Sequence, residues 1–536
     1  MSRNNIERLD FSAVTDGPVK FYDPTKNSPL VLEVAANIEK SQYPELSGLS
    51  IEHSKRVVGY LQLFTQNHTL NGRPVNIPEE VYDAALLHDF YDTARNDDAS
   101  GDLVRQHLVK LADSWDEPRS LRILALLRDM STIEESIRKH VKSAVCDDAV
   151  GAGTYDWSDE APLPDWDILS GVDNHVHIEA WYIKGAEILD RVKNLSGDKT
   201  NDLRCISEAE SCYIPILNSV GLGALSMEIA SSCHIARFRA QGRQDIIHEA
   251  VELYRSVENT DPALVCQQVL GLKNVPNIRW TVNESDPDIN TGVNCRAGEM
   301  LFKSEDGQPI RIEFRQKSIG SLANKIKSKK GKEYTIRDLL GLKVVVGDDD
   351  INSEPEQQRL LAELYNSMAN GLIANENIKL VRANPSRKPF YVQGKPDFVK
   401  KLEEFNIGGN AIRFSQIDVN PIPKPGAYDV AKVTAEVHGM EGNRDDVPVE
   451  VQFVTGVSFY WDDVMGLNAH DLRRFSKSQS DNDLSRVIRV VHLRNGVVER
   501  RDYLGDPRGR RSSISLAREA LRNLLQGSFA KNPELQ

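Results

Sequence analysis

The segment ALLHDFYDTA sets His88 and Asp89 side by side inside an apolar helix, where two polar groups lose hydration and need compensation. A divalent cation compensates both. His53, at the start of the amphipathic stretch IEHSKRVVGYL, supplies a third ligand, and the helix IKGAEILDRVKNL supplies a carboxylate in Asp190 or Glu187. Two imidazoles and two carboxylates make a mixed nitrogen and oxygen site, suited to manganese, iron or magnesium more than to structural zinc. Such a cation lowers the pKa of a water and turns it on a phosphate ester.

A second constellation occupies residues 311–346, RIEFRQKSIGSLANKIKSKKGKEYTIRDLLGLKVVV, with ten basic residues against three acidic ones, a net of +7 in a chain of net charge −13. A local cationic field in an acidic protein selects a phosphate-rich small ligand over bulk nucleic acid. Arg315 and Lys317 share one face of a strand, and Ser321 and Lys325 lie one turn apart on the helix after it. That fork can hold a nucleoside triphosphate from two sides. Asp338 stands just before the strand LKVVV, where a carboxylate can bind the magnesium that bridges phosphates. In VPVEVQF the alternation puts Glu450 and Gln452 on one face of a strand; a carboxylate there completes the metal site or takes a proton from an attacking hydroxyl. Between these segments, PKPGAY offers Lys424 for phosphate and Tyr428 as a stacking platform for a base.

The elements that position these groups divide the chain. From about residue 30 to 270, apolar positions recur at three and four spacing in VLEVAANIEK, HSKRVVGYLQLF, VYDAALLHDFY, IEAWYIKGAEILDRVKNL and IIHEAVELYRSV, the period of amphipathic helices. The stretch 147–168, rich in acidic residues, Gly, Pro and Trp, reads as a loop or lid, and 274–306 reads as a second irregular stretch. From about 308, PIRIEF, LKVVVG, IKLVRA, IRFSQIDV, AKVTAEV and VPVEVQFV read as strands, and SLANKIKSKK, EQQRLLAELYNSM and FYWDDVMGLNAHDLRRF as helices, which implies an α/β or α+β domain around one mainly antiparallel or mixed sheet.

At 536 residues the chain is long enough for two to four domains. Its acidic balance argues against a general binder of DNA or anionic membranes, and the sequence contains no window of 18 consecutive apolar residues and no hydrophobic N-terminal signal core. The six cysteines are scattered, with no CxxC pair, which reads as usage in a reducing, cytoplasmic setting.

The helical motifs resemble the HD phosphohydrolase superfamily, and the whole set, over roughly residues 45 to 475, resembles the RelA/SpoT homologues, enzymes that make and break the alarmone (p)ppGpp. HDxxDT matches the hydrolase motif, YIPILNSVGLGALSMEIA the connector helix, RxKxxxSxxxK with IxDLxGxK the start of the synthetase domain, PKxxxY the acceptor loop, and EVQxxT with the later Ala469 and His470 the last strand and helix. The resemblance implies an N-terminal extension (1-30), an all-α HD-type domain (31-205), a helical connector and linker (206-307), an α/β (α+β) nucleotidyltransferase-like synthetase domain with a mixed sheet (308-480), and a C-terminal strand and helix (481-536). It implies pyrophosphoryl transfer from ATP to the 3′-hydroxyl of GDP or GTP, with Arg315, Lys317 and Lys325 on ATP phosphates, Asp338 and Glu450 on Mg2+, and Tyr428 on guanine beside Lys424, Gln452 and His470. It also implies hydrolysis of the 3′-pyrophosphate at a Mn2+ site of His53, His88, Asp89 and Asp190 or Glu187.

The chain departs from the family pattern in several places. The acceptor loop N-G-Y-x-S-L-H is here Gly426 to Lys432, so Lys432 stands where the family has histidine. Val454 and Lys343 replace arginines, and Asp92 alone does the work of an acidic pair. DRVKNL fits the fourth metal ligand at Asp190, whereas the spacing to Tyr213 fits Glu187. No stretch resembles the TGS and ACT domains of long members, so the expected control is by nucleotides, the other active site or homo-oligomerisation, and not by ribosome or tRNA.

Overall fold

The computed structural model describes residues 29–39, 51–65, 69–70, 73–74, 77–95, 99–141, 176–214, 217, 222–270, 278–283, 295–303, 308–329, 336, 338–347, 356–357, 359–361, 364, 378–384, 431–437 and 447–456. They fall into two compact units, 29–241 and 242–456.

The first unit is helical: α1 (Pro29–Glu39), α2 (Ile51–Thr65), α3 (Glu79–Ala94), α4 (Ala99–Ala112), α5 (Glu117–Val141), α6 (Ile178–Lys193), α7 (Lys199–Glu208), which runs on into a π-helical turn at Ala209–Tyr213, and α8 (Gly223–Ala240). Its only strands among the described residues are the two-residue pair β1 (Thr69–Leu70) and β2 (Arg73–Pro74). Pro78 precedes the first turn of α3, and Glu79 and Glu80 within that turn complement the positive end of the helix dipole. Helix α3 buries Val81, Ala84, Ala85, Leu86, Leu87 and Phe90, residues that point to all sides. A helix apolar all round is a central one, and α3 packs on α2, α4, α5 and α6. Asp129 of α5 fastens the start of α6, accepting from the backbone NH of His177 at 2.7 Å and from its Nδ1 at 2.6 Å.

The second unit opens with α9 (Gln244–Arg255) and α10 (Pro262–Leu270), followed by β3 (Arg279–Asn283), β4 (Arg296–Lys303), β5 (Pro309–Gln316), helix α11 (Ile319–Lys329), β6 (Leu340–Val346), β7 (Ile378–Asn384), β8 (Ala431–Val437) and β9 (Val447–Thr455). The described strands form one sheet in the order β3-β4-β5-β6-β9-β8-β7. All neighbours are antiparallel except β6 and β9, so the sheet is mixed.

The strand alternation sorts two faces. Ile310, Ile312, Phe314, Leu340, Leu342, Val344, Val449, Val451 and Phe453 are buried on one, and on that side Gln316 donates to the carbonyl of Tyr254 in α9 at 2.8 Å. The opposite face is polar over the middle strands. Direct pairing aligns Arg315, Gly341, Glu450 and Thr434 in one row, and Glu313, Lys343, Gln452 and Lys432 in the next.

The segment 274–306, expected to be irregular, instead carries β3 and β4, so the sheet begins before residue 308. The reason lies in Gly298, which stands opposite Trp280 in the pairing of these strands. A Cβ there would lie 2.7 Å from the Arg279 carbonyl, so the close approach needs glycine, and glycine blanks the strand pattern. Arg296 then stacks 4.9 Å from the Trp280 ring, and Trp280 meets Phe314 edge-on at 5.8 Å. The loop at 147–168, the strand IRFSQIDV, the helix FYWDDVMGLNAHDLRRF and the C-terminal strand and helix lie outside the described residues.

Candidate functional site

In the helical unit, α2, α3 and α6 bring His53, His88, Asp89, Glu187 and Asp190 together. One ligand atom from each of His53, His88 and Asp89 lies within 4.8 Å of the others, and the two imidazole rings are 5.3 Å apart.

The tautomers follow from the partners. Nδ1 of His88 sits 2.8 Å from the carbonyl of Ala85, and a carbonyl only accepts, so Nδ1 carries the proton and Nε2 bears the lone pair. Nε2 is buried and makes no hydrogen bond among the described residues; the Asp89 and Glu187 carboxylates stand 3.3 and 3.9 Å from it. A buried lone pair without a donor is costly, and a cation relieves it. The residues present therefore fit a divalent metal.

His53 is held similarly. Its Nδ1 lies 2.6 Å from Oδ2 of Asp190, which turns Nε2 toward Asp89, 3.7 Å away. Burial alone would lower the imidazole pKa, but the hydrogen bond to Asp190 and the charges of Asp89, Asp190 and Glu187 outweigh it and raise the pKa. Asp190 is itself engaged by Arg56, whose Nε and Nη2 donate at 2.8 and 3.0 Å. Of the two carboxylates offered for the fourth ligand, Asp190 orients His53 from behind, and Glu187 is the one beside His88.

Glu187 does not stand alone. Lys184, one turn earlier on α6 and fully buried, puts Nζ 2.5 Å from Glu187 and 3.0 Å from Glu134. Burial would raise the Glu187 pKa, yet Lys184, His88 and Arg191 hold it below the usual carboxylate range. Asp92, one turn after His88, accepts from the Ser131 hydroxyl at 2.5 Å. Burial raises its pKa against that hydrogen bond. Sequence reasoning missed Arg56 and Lys184. Their signals were the i,i+3 spacing of Arg56 from His53 and a lysine on an otherwise apolar helix face.

In the sheet unit, the backbone NH of Lys317 donates to the Leu339 carbonyl at 2.8 Å, which brings the end of β5 beside the residue that precedes β6. There Nζ of Lys317 lies 2.7 Å from Oδ2 of Asp338, and Nζ of Lys325 from α11 donates to the same oxygen. Burial would raise the Asp338 pKa, but the two ammonium groups lower it; burial also depresses that of Lys317, against the pull of Asp338. Ser321 accepts from the Ser318 hydroxyl at 2.9 Å.

Arg315 is exposed and lies over Gly341, where a Cβ would come 3.3 Å from its Cγ and 3.4 Å from its Nε. In register with Gly341 is Glu450, whose Oε1 accepts from Gln452 at 2.6 Å. Lys432 pairs in register with Gln452. Lys424, Tyr428 and His470 lie outside the described residues. No helix among the described residues is long and apolar enough to cross a membrane. Comparison of the chain with protein-family models and with curated proteins returns no match.

Proposed function

We propose that this chain is an enzyme of (p)ppGpp metabolism, hydrolysing the 3′-pyrophosphate in its helical unit and transferring pyrophosphate from ATP to GDP or GTP in its sheet unit. The observation that carries the reading is the convergence of His53, His88 and Asp89, from two helices, with the His88 tautomer fixed so that a buried lone pair faces the carboxylates.

In the helical unit, His53, His88 and Asp89 would hold Mn2+, with Glu187 at its edge. When bound, the cation supplies Lewis acidity toward the phosphate ester and toward water. Asp190 and Arg56 keep His53 oriented. Asp92, its pKa raised by burial, holds or takes up a proton beside the site. Lys184 keeps Glu187 ionised.

In the sheet unit, Lys317, Lys325 and Arg315 bind donor phosphates, and Asp338 and Glu450 would hold Mg2+. Glu450, oriented by Gln452, accepts the proton of the attacking 3′-hydroxyl. Lys424, Tyr428 and His470 would complete the acceptor half.

The test uses the full chain with labelled ATP and GDP, GTP or AMP in magnesium, and separately with ppGpp in manganese. The expected result is label transfer to GDP or GTP that Glu450→Gln blocks, and pyrophosphate release that Asp89→Ala abolishes. Transfer to AMP alone marks an enzyme with a changed acceptor, and absence of both reactions sinks the reading.

A further inference from the structure

The Lys317 and Lys325 ammonium groups converge on a single oxygen of Asp338, although they reach it from different elements, the end of β5 and the second turn of α11. Lysines bind a phosphate oxygen by the same charge-assisted contact they make with a carboxylate oxygen. The other oxygen, Oδ1, is buried and takes no hydrogen bond among the described residues, so the carboxylate is not placed to satisfy its own acceptors. It sits where it answers the lysines. The two lysines against one carboxylate leave a positive surplus, to which Arg315 adds through its electrostatic effect on Lys317. Such a cluster is built for an anion of higher charge than a carboxylate.

We infer that Asp338 closes this anion site by standing in for a phosphate, and that a divalent cation opens it by drawing Asp338 off Lys317 and Lys325. The inference rests on the proposed reading of the sheet unit as a nucleotide donor site and adds its regulation. A cation and a polyphosphate then bind cooperatively even before any direct contact between them is counted: the cation takes the carboxylate, and the lysines lose the internal anion that competes with the ligand. A ligand shifts an equilibrium only by its differential affinity for the two states, and here both ligands prefer the state in which the Asp338 contacts are broken. Lysines alone, without the carboxylate, would bind polyphosphate in the absence of any metal.

Inorganic tripolyphosphate is the probe, titrated against the full chain in EDTA and read by calorimetry. Asp338→Asn is expected to bind it at least tenfold tighter than wild type, and Asp338→Asn with Lys325→Met is expected to lose that gain. Equal or weaker binding by Asp338→Asn, with melting like wild type, overturns the latch while leaving the anion site standing. No binding by any of these proteins, with or without magnesium, overturns both the latch and the donor-site reading. A second measurement needs no variant: magnesium alone should raise acylation of Lys317 and Lys325 by a water-soluble amine reagent several-fold, read by peptide mass spectrometry. Labelling that magnesium leaves unchanged also overturns the latch.

Discussion

Lys184 and Glu187 form a buried ion pair, 2.5 Å apart, and the Glu187 carboxylate stands 3.9 Å from Nε2 of His88. Breaking such a pair by removing one partner leaves an uncompensated buried charge, which costs about 3–5 kcal/mol. Lys184→Met removes the ammonium that Glu187 and Glu134 share and is expected to lower the stability of the helical unit by that order, measured by urea unfolding. Adding Glu134→Gln and Glu187→Gln should restore a large part of the loss.

The tautomer of His88 makes the metal site testable without any assay of turnover. His88→Ala is expected to abolish stoichiometric Mn2+ binding, measured by equilibrium dialysis and elemental analysis. Asp190→Asn acts through His53 and should weaken Mn2+ about 10- to 100-fold, the usual cost of losing an outer-shell partner. Equal, complete loss in both variants would make Asp190 a direct ligand.

Burial raises the Asp92 pKa, so the ionised form is disfavoured by folding. A folded-state pKa above the unfolded value means that its contribution is fully present below the unfolded pKa and is lost as pH rises through the folded one. Asp92→Asn should therefore be more stable than wild type at pH 7, with the gap closing as pH falls toward the ordinary carboxylate range. Denaturant midpoints from pH 4 to 8 check this. The same variant should slow hydrolysis.

Gly341 lets the Arg315 side chain lie flat on β6, with its Cγ 3.3 Å from the position a Cβ would occupy. Gly341→Val overpacks that contact, at a cost of about 1–3 kcal/mol, and lifts Arg315 from the row it shares with Glu450. ATP affinity should fall roughly tenfold, the equivalent of 1.4 kcal/mol, while Mn2+ binding to the helical unit is unchanged. Fluorescence titration with an ATP analogue measures the first.

Much of the architecture was legible because periodicity carries it. The alternation in PIRIEF and VPVEVQFV, and the three-and-four spacing around His88, survive as β5, β9 and α3. Strands β3 and β4 were not legible, because Gly298 and the charged ends of RAGEMLFK give no clear alternation and their stability comes from pairing with β5. At the site, residue types and order were readable, but pair choices were not. Nothing local says that Asp190 meets His53 and Arg56, or that Asp338 meets both Lys317 and Lys325.

The sequence by itself determined which chemical groups are present, the helical character of the first unit and the alternating strands of the second. Those depend on neighbours a few residues apart, through the 3.6 and 2.0 periods of side-chain direction. Only the tertiary structure decided the His88 tautomer, the burial of Lys184 between Glu134 and Glu187, and the engagement of Asp338 by two lysines. Each is a competition among charged partners from separate elements, decided by distance and burial that no local pattern encodes.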